Sequence, residues 1–176
     1  MQMFILSGGP GCGKSSVLIE LEHTHNCFIV HEAAESIIRL EQAHGRKYPW
    51  DFPGFQRKIW NLQHKRIQNI PLNTPKVFLD RYYVDSIAYS HDNDAIPELP
   101  KDFQKNLDTS IPVFFFENLG FFETEKYRKE DAEYARDLEK RIYENYKHYG
   151  YKIIDVAKDT VKNRAQFILN KINDLK

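Results

Sequence analysis

An apolar run, Phe4-Ile5-Leu6, passes through Ser7 into Gly8-Gly9-Pro10-Gly11-Cys12-Gly13, and Lys14-Ser15-Ser16 follow directly. Few backbone paths accommodate that order. The apolar run predicts a short buried strand, the glycines a turn, and the residues after Lys14 a helix. Four residues separate Gly8 from Gly13-Lys14-Ser15, the spacing of a phosphate-binding loop. Glycines allow dihedrals that a side chain forbids, so successive N–H groups can converge on an oxyanion. The positive end of the following helix adds to the same spot. Lys14 is expected to reach the β- and γ-phosphates, and the Ser15 hydroxyl to ligate Mg²⁺. A purely structural glycine turn is the alternative, and the lysine, hydroxyl, strand and helix in sequence argue against it. Gly8, Gly9, Pro10, Gly11, Cys12, Gly13, Lys14, Ser15 and Ser16 are the candidate binding set for a nucleoside triphosphate, ATP or GTP.

The rest of the composition narrows the classes. The 176 residues suit a single domain with a real core, expected over 1–176. Basic and acidic residues balance at 25 each, so bulk charge indicates neither nucleic acid nor an anionic membrane as partner. No apolar run approaches a membrane span, and no signal-peptide pattern is seen at the start. The two cysteines suit a reducing compartment, and a cytoplasmic location is expected.

Taken in order, strands and helices alternate. The first helix is expected over 16–22, a strand over 27–30 and a helix over 33–44 buried through Ala34, Ile37, Ile38 and Leu40. Pro53 suits the first turn of the next helix, 55–69, and Lys76-Val77-Phe78-Leu79-Asp80 the third strand. A short helix near 85–90 and a strand at 113–116 follow, then a long helix over 129–148, a strand over 151–156 and an amphipathic last helix. Such alternation implies right-handed crossovers and a parallel sheet, with ligands beyond the strands' C-terminal ends.

The residues at those ends are therefore the informative ones. The second strand ends at His31-Glu32 and the third at Asp80-Arg81. A carboxylate there can hold the metal shell or act as general base. Each also has a plain structural use, Asp80 as a cap of the next turn and Glu32 as an acid favoured at a helix N-terminus. His31-Glu32-Ala33-Ala34-Glu35 lacks the second His of a zinc-protease helix, and His23 and His25 are expected to face water. Lys126-Tyr127-Arg128-Lys129-Glu130-Asp131 reads either as a lid bringing Arg128 to the phosphates or as a solvated helix start. Cys12 reads either as a thiol activated by the helix end or as a small residue tolerated in the loop. Tyr48, Trp50, Phe52, Phe55 and Trp60 can stack on a flat acceptor or fill the core.

With those residues in view, the chain resembles the family of small P-loop domains of AAA-type ATPase-like character, which includes the nicotinamide riboside kinase domain. It is more distantly similar to nucleoside and nucleotide kinases. The resemblance rests on Gly8 to Ser15, Glu32-Ala33-Ala34, Phe55-Gln56, Val77-Phe78-Leu79-Asp80-Arg81, Asp85-Ser86, Ala88-Tyr89, Arg128 with Glu130-Asp131, and Arg164 with Phe167-Ile168-Leu169. It implies a three-layer α/β fold with a five-stranded parallel sheet ordered 2-3-1-4-5 and a lid-like segment at about 118–130. It also implies a metal site at Ser15 and Asp80. The candidate catalytic set is Lys14, Glu32, Asp80, Arg81 and Arg128, with Glu32 as acceptor-side base and Arg128 as lid arginine. Tyr82 and Lys126-Tyr127 stand where such domains often carry glycine, so the family's acceptor does not transfer. The expected activity is Mg²⁺-dependent phosphoryl transfer to an unidentified small molecule. An NTP hydrolase or nucleotide-dependent binding protein is the alternative, and oligomeric state stays open.

Overall fold

A computed structural model describes residues 1–90, 107–119 and 132–175. Five strands, β1 (Gln2–Gly8), β2 (Phe28–Val30), β3 (Lys76–Asp80), β4 (Val113–Phe116) and β5 (Ile153–Val156), form one sheet ordered β2-β3-β1-β4-β5. Every pairing is parallel. The helices are α1 (Lys14–Thr24), α2 (Ala33–Ala43), α3 (Phe55–Gln68), α4 (Tyr83–Ser90), α5 (Ala132–His148) and α6 (Val161–Asp174). The α/β architecture and the strand order expected from the sequence are both found.

Alternation along the strands divides the core in two. Phe4, Leu6, Phe78, Phe114 and Phe116 point to the layer of α1 and α6. Ile5, Val77, Leu79, Val113 and Phe115 point to the layer that includes α4 and α5. Both faces of the central strands are covered, which is why they read as unbroken apolar runs. A third cluster joins α2 to α3 through Ala34, Ile37, Ile38, Phe55 and Ile59.

Several local expectations change. Leu40 is exposed while its neighbour Glu41 is buried, because Glu41 takes Lys58 Nζ at 2.7 Å and the Arg46 guanidinium as partners. A carboxylate with two cations can occupy an inward position that a lone one could not. Pro53 lies outside α3, whose entry is made by Gly54 with a left-handed φ of 81°. Proline opens a helical turn at Pro49 instead, in the 3-10 segment Pro49–Asp51. β5 begins at Ile153, two residues later than expected, and Tyr151 is buried ahead of it. His23 and His25 are exposed, as expected. The expected helix start at 129–131 lies outside the described residues.

Candidate functional site: a phosphate loop beside paired carboxylates

β1 ends in the glycine turn because only glycine fits there. A Cβ on Gly8, whose φ is 141°, would stand 2.7 Å from the Phe116 carbonyl oxygen, since Gly8 and Phe116 are register partners. Gly13, at φ 81°, enters α1 in the left-handed region and donates no side chain to the space the loop encloses. Lys14 occupies the first position of α1 and turns back over the loop. Its Nζ donates to the Gly9 carbonyl at 3.2 Å and the Gly8 carbonyl at 3.4 Å, and lies 3.3 Å from Cys12 Sγ. Ser15 and Ser16 are exposed on the first turn of α1. The Cys12 thiol is fully buried, which favours the reading of a small residue tolerated in the loop, since reactivity needs access.

The loop is braced from the far end of the chain. Arg164, in the first turn of α6, donates from Nη1 to the Cys12 carbonyl at 2.8 Å and lays its guanidinium 4.4 Å over the Phe116 ring. In the sequence Arg164 stands out only through the family resemblance. Contact with a residue 152 positions earlier leaves no local signal.

Register places the next group. Leu6 pairs with Asp80, so the end of β3 lies beside the start of the loop. Asp80 is buried, and its Oδ1 has no hydrogen-bond partner. It does not cap the following turn. That work falls to Asp85, whose Oδ2 accepts from the Tyr82 backbone N–H at 2.9 Å. Asp85 also takes the Ser7 hydroxyl at 2.6 Å, Arg81 Nη1 at 3.2 Å and the Tyr146 hydroxyl. Four donors on one buried carboxyl group fix its orientation.

Arg81 carries a left-handed φ of 68° and is the only non-glycine residue among those described to do so. Such a conformation costs about 1–2 kcal/mol, which its ion pairs offset. The twist sends the guanidinium back across the rim. Nη1 donates to the Gly8 carbonyl at 3.1 Å, Nε lies 3.2 Å from Glu32 Oε1, and the Tyr89 ring faces it at 5.3 Å. Glu32 stands at the N-terminal boundary of α2, yet its side chain makes no capping hydrogen bond there. It reaches Arg81 instead. The sequence candidates Lys14, Glu32, Asp80 and Arg81 therefore converge at the ends of β1, β2 and β3. Arg128 and all but the first two residues of the lid-like segment expected at about 118–130 lie outside the described residues.

Burial and the nearby Glu32 carboxylate push the Asp80 carboxyl up to about 6, against the opposing pull of Lys14 and Arg81. Because this value exceeds the ordinary 3.8, ionisation is less favourable in the folded chain than in the unfolded one. The group therefore costs stability as pH rises through about 4 to 6, and the full cost is present above that window. Asp80→Asn should then melt higher than wild type at about pH 8, by on the order of 1–3 kcal/mol, with the difference vanishing below about pH 4. Thermal denaturation at several pH values reads this. Equal melting of the two proteins at about pH 8 would show that the carboxylate is not strained.

A family model described as an AAA domain matches residues 3–164. The chain belongs to the AAA domain family. No curated protein sequence matches this AAA domain. Among solved structures it is similar to deoxyadenosine kinase from M. mycoides with bound dATP, at 19% identity and TM-score 0.66, covering 98% of this chain and 100% of that one. It is also similar to thymidylate kinase from Candida albicans, at 16% identity and TM-score 0.65, covering 98% and 91%. Shikimate kinase from Acinetobacter baumannii in complex with shikimate aligns at 18% identity and TM-score 0.62, covering 100% and 95%. At these identities the likeness is one of fold, and this AAA domain has the P-loop kinase fold. Among its described residues no helix is long and apolar enough to cross a membrane.

A cleft opens beside the rim, between α2, α3 and α4, with Glu32, Arg81 and Asp85 on one side and Gln56, Gln63 and Tyr89 among the others. None of Tyr48, Trp50, Phe52, Phe55 and Trp60 lines it. Phe55 is core, and Trp60 stacks on His64 at 5.0 Å. The aromatic walls of the cleft are Tyr82 and Tyr89, from the segment after β3.

Proposed function

We propose that this AAA domain is a Mg²⁺-dependent kinase that transfers the γ-phosphoryl group of ATP, or GTP, to a hydroxyl of a small molecule. One observation carries the reading. Two carboxylates stand at the ends of adjacent strands beside the phosphate loop, one buried with an unpartnered oxygen and the other half-buried against a cleft. A nucleotide-dependent binding protein needs the loop but has no use for the pair.

The residues divide the work as follows. The loop amides from Gly8 to Ser16 and the Lys14 ammonium hold the phosphates. The Ser15 hydroxyl and the Asp80 carboxylate are the oxygen donors that would hold Mg²⁺, and the orphaned Asp80 Oδ1 fits that use. Bound there, the ion would supply charge neutralisation on the transferred group. Glu32 accepts the proton of the attacking hydroxyl, and Arg81 aims its carboxylate toward the cleft. Arg128 belongs to the same reading as the lid arginine of a segment at about 118–130. The reading treats residues 1–176 as one nucleotide-binding unit acting in the cytoplasm, and Cys12 and Cys27 are both free thiols.

Mixing the protein with Mg·ATP and a panel of nucleosides, vitamins and polyols, with products followed by mass spectrometry, tests the proposal. A phosphorylated acceptor is expected, and the same compound should raise the melting temperature in the presence of a non-hydrolysable ATP analogue. Slow hydrolysis of ATP with no transfer to any compound would make the chain a hydrolase or a nucleotide-dependent regulator.

A further inference from the structure

The charges on the cleft wall do not balance. Glu32 and Asp85 line it with two acidic side chains, and Arg81 is the one basic side chain among the described residues that line it. A guanidinium recognises a phosphate or carboxylate by offering two parallel N–H groups. Arg81 has no such pair to offer, since Nε and Nη1 already face acceptors of this chain and Nη2 alone stands outside those contacts. Its Nε faces Glu32 Oε1 at 3.2 Å, and its Nη1 serves both the Gly8 carbonyl at 3.1 Å and Asp85 Oδ1 at 3.2 Å. Asp85 cannot release it cheaply, since Ser7, Tyr146 and the Tyr82 N–H fix that carboxylate from the other directions. An anionic acceptor would meet two carboxylates at short range and a cation already engaged by both.

A second, independent feature points the same way. Gln63 is buried and lines the cleft, and its Oε1 has no hydrogen-bond partner. Its Nε2 donates to the Arg81 carbonyl at 3.5 Å, and turning the amide over would set two acceptors against each other. The side chain is thus held with an acceptor oxygen unmet. Leaving a buried acceptor unmet is costly, so this oxygen calls for an N–H or O–H donor on the ligand. Ionised phosphate and carboxylate oxygens only accept.

We propose that the phosphoryl acceptor of this site is an uncharged hydroxyl compound carrying a further N–H or O–H donor, such as a nucleoside, and that Asp85 excludes phosphomonoesters and carboxylates by neutralising Arg81. This rests on the kinase reading above and narrows it. A discriminating set of ligands is thymidine, deoxyadenosine and cytidine, the 5′-monophosphate of each, and shikimate as a carboxylate. Affinities are measured by calorimetry in the presence of a non-hydrolysable ATP analogue and Mg²⁺, and transfer from Mg·ATP by mass spectrometry.

At least one nucleoside should bind, and at least about tenfold more tightly than its own monophosphate. Binding of a monophosphate or shikimate as tightly as the best nucleoside overturns the inference, and so does binding of no nucleoside. The two claims fail separately. Transfer to a monophosphate leaves the kinase reading standing and sinks this one, whereas nucleoside binding without any transfer sinks the kinase reading and leaves only the cleft's preference for uncharged ligands.

Asp85→Asn, checked for folding by its melting transition, should lower the Kd for the monophosphate about tenfold or more while the nucleoside Kd moves less. Glu32→Gln probes the same balance at a side chain outside the core, and it should shift the two affinities in the same sense. An unchanged ratio of affinities in a folded variant would remove the role assigned to the charge balance.

Discussion

Glu32→Gln lowers phosphoryl transfer by roughly 10²- to 10⁴-fold, the range a general base contributes, and hardly changes the affinity for Mg·ATP. The amide keeps the shape of the carboxylate and loses its capacity to take a proton. Glu32 sits against the cleft and Arg81 rather than against the loop, so the nucleotide does not feel the change directly. Turnover and KM for the acceptor separate this role from a structural one. A helix-capping acid would show lowered stability with unaltered turnover, and Glu32 makes no capping hydrogen bond in the structure. Wild-type transfer by the Gln variant would reassign the base to Asp80.

Lys14→Ala weakens binding of Mg·ATP by roughly 10- to 10²-fold, because a hydrogen bond to a charged group contributes about 1.5–3 kcal/mol. The structure adds a qualification to what the sequence implies. Lys14 is buried, and its ammonium rests on the Gly8 and Gly9 carbonyls. Truncation therefore takes a donor from the Gly9 carbonyl, while Gly8 keeps Arg81 Nη1, and a small drop in melting temperature accompanies the loss of affinity. Calorimetric titration of the folded variant reads both. Undiminished ATP affinity would sink the assignment of this turn to phosphate binding.

The glycine turn was legible because it is written in consecutive residues, whereas the order of the strands was implied only by the family resemblance. A glycine turn between an apolar run and a helix has little freedom, and β3 and β4 announce their burial on two faces by lacking any alternation. Asp80 and Glu32 were found because a parallel sheet places its strand ends together. Asp85 carries no signal in the sequence beyond the family resemblance. Its partners Ser7 and Tyr146 stand 78 and 61 residues away, and nothing local marks an aspartate that will collect four donors. The brace from Arg164 to Cys12 escaped notice for the same reason. Glu41 misled in the opposite direction. Periodicity put Leu40 inward, whereas the pair of cations from Arg46 and Lys58 made the neighbouring acid the buried residue.

The order of the strands also bears on how the chain comes off the ribosome. β1, the middle strand of the sheet and the bearer of the loop, is made before any of its neighbours. Its first partner, β3, begins roughly 70 residues after Gly8, which at about 5–20 residues per second is a wait of roughly 4 to 14 s. β4 completes the other edge later still, and Arg164 arrives only with α6. Throughout that interval Phe4-Ile5-Leu6 is an unpaired apolar strand, the kind of segment that adheres to other nascent chains. The candidate site is therefore completed last although its glycine turn is made before the strands that flank it, and chaperone demand during translation should track the delay between β1 and β3.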